Sequence, residues 1–85
     1  MKSFEYVIKD KSGIHARPAG LLSKTAKNFE SNCVIEKDSK SVNLTKLMML
    51  MSLGIKCGDK VKVSVSGSDE DAAFETLKSF FEDNL

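Results

Sequence analysis

The chain has 85 residues, 41% of them apolar and 29% charged, which suits one small folded domain spanning residues 1–85 and excludes disorder as the default state. Lysine and arginine total 13 against 12 acidic residues, a net charge of +1, so the balance points to no strongly basic nucleic-acid surface. Two cysteines (Cys33 and Cys57) and one histidine (His15) exclude a standard four-ligand zinc site and a disulfide framework, so neither a metal nor another cofactor is expected.

Phe4, Tyr6 and Ile8 alternate with Glu5 and Val7, the pattern of a strand with one buried face. Glu5 also falls where a signal peptide needs apolar residues, and no run reaches the roughly 20 apolar residues of a membrane span. A cytoplasmic protein, not inserted in a membrane, is therefore expected. Lys9 to Gly13 is polar and reads as a loop. Pro18 suits a first helical turn, where its missing N–H has no partner to lose. Leu22, Ala26 and Phe29 then recur at helical spacing, predicting a helix from about Arg17 to Asn28.

Cys33 to Ile35 predicts a second strand, Lys37 to Lys40 a tight turn, and Ser41 to Asn43 a third strand, together a hairpin. Leu47 to Met51 reads as a short helix that follows a polar lead-in and stops at Gly54. Cys57-Gly58-Asp59 is a turn. Val61, Val63 and Val65 alternate with Lys62, Ser64 and Ser66, the clearest strand in the chain. Ser68 ahead of Asp69, Glu70 and Asp71 predicts a hydroxyl-capped helix start with acids facing the dipole. Phe74, Leu77 and Phe81 give that helix its apolar face, with Ala73 and Phe80 beside it. The order is β-α-β-β-α-β-α. Helices this short can cover only one face of a four-stranded sheet, so a two-layer α/β sandwich with an open, solvated sheet face is expected.

His15 lies at the loop-to-helix junction of Gly13-Ile14-His15-Ala16-Arg17-Pro18-Ala19. The first backbone N–H groups of a helix, here those of Ala16 and Arg17, have no intrahelical partner and favour a bound anion. The Arg17 guanidinium adds a permanent charge suited to phosphate. A neutral imidazole, with an ordinary pKa of about 6.5, is a competent nucleophile near neutral pH. A nucleophile inside an anion cradle suits a histidine that accepts and then gives up a phosphoryl group.

The run from Gly13 to Ala19, followed by Leu21-Leu22 and Lys24-Thr25-Ala26, resembles the active-site segment of the HPr family, the histidine phosphocarriers of the bacterial phosphoenolpyruvate:sugar phosphotransferase system. Val42-Asn43-Leu44 through Leu47-Met48 to Met51-Ser52-Leu53-Gly54-Ile55 resembles that family's second signature block. The similarity spans the whole chain. It implies an open-faced β-sandwich with antiparallel strand order 1-4-2-3 and the helices on one face. It also implies that Nδ1 of His15 takes a phosphoryl group from phospho-Enzyme I and passes it to the IIA domains of sugar transporters, with Arg17 neutralising the phosphoryl charge. On that reading the chain is a phosphoryl-transfer intermediate rather than an independent enzyme, and a monomer is expected.

Leu47 to Met51 make a short helix apolar on all sides, although only one side can face the sheet. An exposed methionine cluster is an adaptable docking surface. The resemblance places Leu47, Met48 and Met51 beside the histidine at the partner contact, together with Gly20, Leu21 and Lys24 of the first helix. Met48 and Met51 are expected to be partly exposed, and Leu50 and Leu53 buried. Lys24, Lys27 and Lys46 could steer the carrier towards acidic partner faces. Lys46 departs from the family: many members from low-GC Gram-positive bacteria have there a serine whose phosphorylation controls catabolite repression. Thr45 and Ser52 are not at the matching position, so the serine's role is not transferred to them.

Two other functions compete. A regulatory paralogue would share His15 and Arg17 but differ in its acceptors. An RNA-binding module, which shares the β-α-β-β-α-β order, would need aromatic side chains on the open sheet face. The strands offer only Phe4 and Tyr6.

Overall fold

In the computed structural model, which describes Met1–Leu85, the Val61-Val63-Val65 alternation becomes the central strand of the sheet. The elements are β1 (Lys2–Val7), α1 (Ala16–Ala26), β2 (Asn32–Lys37), β3 (Lys40–Asn43), α2 (Leu47–Ser52), β4 (Lys60–Ser66) and α3 (Glu70–Asn84). The four strands are antiparallel in the order β1-β4-β2-β3, as expected. α1 begins one residue before its predicted start and ends two before its predicted end. β4 pairs Phe4 with Val63 on one side and Ile35 with Val63 on the other, so one register buries both neighbours' apolar residues together.

The core lies between this face and the helices. Ile35, Val61, Val63 and Val65 meet Leu22 and Ala26 of α1, Leu50 of α2, and Ala73, Leu77 and Phe81 of α3 in one cluster. Phe81 is its largest member, and the rings of Phe4 and Tyr6 meet it edge-on at 5.6 and 5.7 Å. Both strand aromatics thus face the helices. The opposite sheet face carries Ser3, Glu5, Glu36, Lys62 and Ser64 and offers no stacking platform for bases. Cys33 is buried, and burial pushes its thiol pKa up; Cys57 is exposed.

The start of α3 differs from the sequence expectation. Asp69, not Ser68, is the N-cap residue, and the Ser68 hydroxyl donates to Glu30 Oε2 at 3.2 Å. The Asp69 carboxylate leaves its own helix and bridges to the end of the α1–β2 loop. There it accepts the Ser31 hydroxyl and the backbone N–H groups of Glu30 and Ser31, both at 2.9 Å. A carboxylate takes more donors than a hydroxyl, and the sheet brings the two loops side by side, so the long-range bridge displaces the local cap.

Those donors, the Ser31 hydroxyl first, hold the Asp69 carboxyl below its ordinary range. A depressed folded-state pKa stabilises the fold above the unfolded value and loses that effect as pH falls through the folded one. Asp69→Asn is therefore expected to lower Tm at neutral pH, with the gap to the native chain narrowing as pH drops below about 4. Melting curves across that range check this, and a gap that stays constant with pH would refute it.

Candidate functional site

Gly13 sets the geometry of the segment before α1. Its φ is +66°, and a Cβ there would sit 2.7 Å from Lys56 Cα, so the chain passes directly over the Ile55–Lys56 peptide. The Ile14 N–H donates to the Ile55 carbonyl at 3.1 Å. The same 55–59 segment holds the end of β1: Ile8 N–H donates to Asp59 O at 2.9 Å, and Gly58 N–H donates to Ile8 O at 2.7 Å. The Asp59 carboxylate in turn accepts the Lys56 N–H at 2.8 Å and pairs with Lys37 Nζ at 3.0 Å. The Lys56 N–H first, and then Lys37, keep that carboxyl below its ordinary range. Gly13→Ala is expected to destabilise the fold by at least about 1 kcal/mol, because it combines backbone strain with a clash against main chain. Chemical denaturation measures this, and an unchanged midpoint would show that the 55–56 peptide yields.

His15 follows as the N-cap residue of α1, in extended conformation, with its carbonyl accepting the Ala19 N–H at 2.9 Å. Its side chain caps nothing and is about half exposed. The N–H groups of Ala16 and Arg17 in the first turn have no intrahelical acceptor, and Pro18 has no N–H. Arg17 is exposed and has no acidic side chain within ion-pair distance. The end of the helix dipole, two free donors and a free guanidinium therefore adjoin one imidazole. Such a site can hold an anion while a ring nitrogen attacks it.

An open depression of about 230 Å³ surrounds the ring, lined by His15, Arg17, Pro18 and Leu21 with Asp10 and Asn84. Asp10 and Asn84 escaped the sequence reading. Asp10 Oδ2 lies 3.6 Å from His15 Nε2. Asp10 occupies the first position of a turn closed by the Gly13 N–H on its carbonyl at 2.9 Å. The spacing Asp-x-x-Gly, two residues before the histidine, was the signal available for it. Asn84 arrives from the far end of α3, for which no local pattern exists.

The predicted docking residues fall into neighbouring places. Arg17, Leu21 and Lys24 recur at spacings of four and three on the exposed face of α1, and Leu21 is 48% exposed. Gly20 is half-buried beside them. α2 packs against α1, and the Ser23 hydroxyl donates to the Thr45 carbonyl at 3.1 Å at the junction. Leu47, Met48 and Lys46 line a second shallow depression with Lys27, Thr45 and Met49. Met48 is 78% exposed, Met49 53% and Met51 37%, whereas Leu50 is only 1% exposed. Leu53, expected to be buried, is half-buried: it packs against the core from its edge, just before the chain turns at Gly54 (φ +63°).

The chain is similar to known proteins in sequence and in fold. The family described as "PTS HPr component phosphorylation site" matches residues 2–83. The phosphocarrier protein HPr of Mycoplasma capricolum is 40% identical over 78 residues, 92% of this chain and 88% of that protein. The crystal structure of HPr-C-His from Thermoanaerobacter tengcongensis superposes with a TM-score of 0.92 at 45% identity, covering 96% of this chain and 92% of that one. A structure described as an HPr dimer from the same organism has a TM-score of 0.78 at 44% identity, covering 98% and 95%.

Proposed function

The chain belongs to the HPr family of phosphotransferase-system phosphocarriers, and we propose that it takes a phosphoryl group from phospho-Enzyme I on His15 and hands it to the IIA domains of sugar transporters. The observation that carries this reading is the half-exposed imidazole at the N-cap of α1, adjoining two free N–H groups and an unpaired Arg17. Nε2 faces Asp10, which leaves Nδ1 as the ring nitrogen without a partner. In the transfer, the Nδ1 lone pair forms an N–P bond as the donor's N–P bond breaks. The developing charge on the phosphoryl oxygens falls on the Ala16 and Arg17 N–H groups and the Arg17 guanidinium, all in place beforehand. Handing on to IIA reverses these steps with a new acceptor.

Docking is assigned to the exposed strip of α1 and α2, with Gly20, Leu21, Leu47, Met48 and Met51 as the apolar contact and Lys24, Lys27 and Lys46 around it. Unbranched methionines adapt to partners of different shape, and the lysines favour acidic rims. The carrier works as a cytoplasmic monomer on this reading, and no helix is long and apolar enough to cross a membrane. Met48→Glu is expected to slow phosphorylation by Enzyme I about tenfold or more without shifting Tm, since it places a charge in a desolvated contact but not in the core. An unchanged rate would remove Met48 from the interface.

The test of the function is intact-mass analysis after incubation with phosphoenolpyruvate and Enzyme I from the same source. One acid-labile phosphoryl group is expected. No modification would mean that the site is not used for this chemistry.

A further inference from the structure

The depression around His15 holds an acid to which phosphoryl transfer has so far given no task. We propose that Asp10 is a positioning residue that retains the proton on Nε2 of phosphorylated His15, so that the ring departs as a neutral imidazole when the phosphoryl group moves on. The proposal rests on the carrier reading of His15.

Asp10 is built into place rather than draped on the surface. Its N–H donates to the Leu85 carbonyl at 2.7 Å, and its own carbonyl accepts the Gly13 N–H at 2.9 Å. The main chain beneath the carboxylate is thus fixed from two sides. The His15 ring is the one ion-pair partner of that carboxylate, at 3.6 Å from Nε2. This distance exceeds a hydrogen bond but lies within the reach of a charge pair, and it can shorten when the ring becomes cationic. The other charged side chain lining the depression is Arg17. Pro18 and Leu21 of α1 and Asn84 of α3 carry no charge.

The chemistry requires a group in this position. Once the phosphoryl group occupies Nδ1, the ring can hold a proton only on Nε2. With that proton present, cleavage of the N–P bond returns the electron pair to Nδ1 and leaves neutral imidazole. Without it, the leaving group is an imidazolate anion, a far poorer one. A carboxylate facing Nε2 favours the protonated phosphoimidazole, while Arg17 is occupied by the phosphoryl oxygens. A unit-charge pair at about 4 Å in a water-like dielectric changes such an equilibrium about fivefold.

The experiment uses the full chain, phosphorylated with phosphoramidate, which donates its phosphoryl group to the ring and releases ammonia without any partner protein. The phosphorus NMR signal is then followed against pH in native, Asp10→Asn and Asp10→Glu chains. Replacing the carboxylate with a neutral amide is expected to lower the pH midpoint of that signal by about 0.7, the same fivefold. It should also slow transfer to a IIA domain, by up to about fivefold where the pH lies above that midpoint, with Asp10→Glu recovering part of both effects. The backbone hydrogen bonds of residue 10 survive either substitution, so an unchanged amide spectrum is expected. Equal midpoints in native and Asp10→Asn would overturn the proposal. Failure of Enzyme I to modify the native chain would instead overturn the carrier reading, and the phosphoramidate titration keeps these two failures apart.

Discussion

His15→Ala is expected to abolish phosphoryl acceptance from Enzyme I while leaving the fold intact. The chain contains no other histidine, so no second ring can take over. The structural cost is small because residue 15 caps α1 through its carbonyl, which accepts the Ala19 N–H and survives the substitution. What disappears is an exposed side chain and its 3.6 Å approach to Asp10, and surface substitutions of this kind fall within about 0.5 kcal/mol. Intact mass with and without acid treatment, beside a thermal melt, separates the two effects. An acid-labile phosphoryl group on the variant would move the acceptor elsewhere. A collapse in Tm would mean that the ring is structural.

Phe81→Ala is expected to have the largest effect on stability. Phe81 is fully buried and meets Phe4, Tyr6 and Phe80 edge-on, so truncation removes both burial and ring contacts. Such a change costs about 3–5 kcal/mol. A chain of this size has a total stability of roughly 4–13 kcal/mol, so the variant should melt on the order of 15–30 °C lower. The loss also reaches the site, because Asn84, the last residue of α3, lines the depression, and Leu85, its cap, holds the Lys9–Asp10 segment. Circular dichroism melts check the prediction. A fall of less than about 5 °C would mean that the core refills the space.

The fold was legible where a single period ran without interruption. Val61, Val63 and Val65 mark β4, and Leu77 with Phe81 marks the inner face of α3, because burial on one side imposes the period directly. Pro18 and the run before it located the start of α1 and its free N–H groups. The exposure of Met48 followed from an all-apolar helix that has only one side to bury. Interactions between distant segments were not legible. Ser68 looked like a cap, but the capping position belongs to Asp69, whose carboxylate is drawn to Ser31 across 38 residues of sequence. Leu53 followed the apolar run of α2, yet it packs against the core only from its edge, beside the left-handed Gly54. Asp10 and Asn84 reach His15 through a turn and through the packing of α3, and neither leaves a periodic trace.

The strand order has a consequence for how the protein is made. β4 pairs with both β1 and β2, so only the β2–β3 hairpin can close before Lys60–Ser66 has left the ribosome. β1 emerges first and waits longest for its partner, a high-contact-order pairing that favours assembly late in synthesis. The His15 loop also depends on distant segments. Ile14 needs Ile55, which precedes β4, and Asp10 needs the backbone oxygen of Leu85, which follows α3. A nascent chain therefore carries its histidine from early on but closes the Asp10 and Asn84 side of the pocket only after α3 has been made.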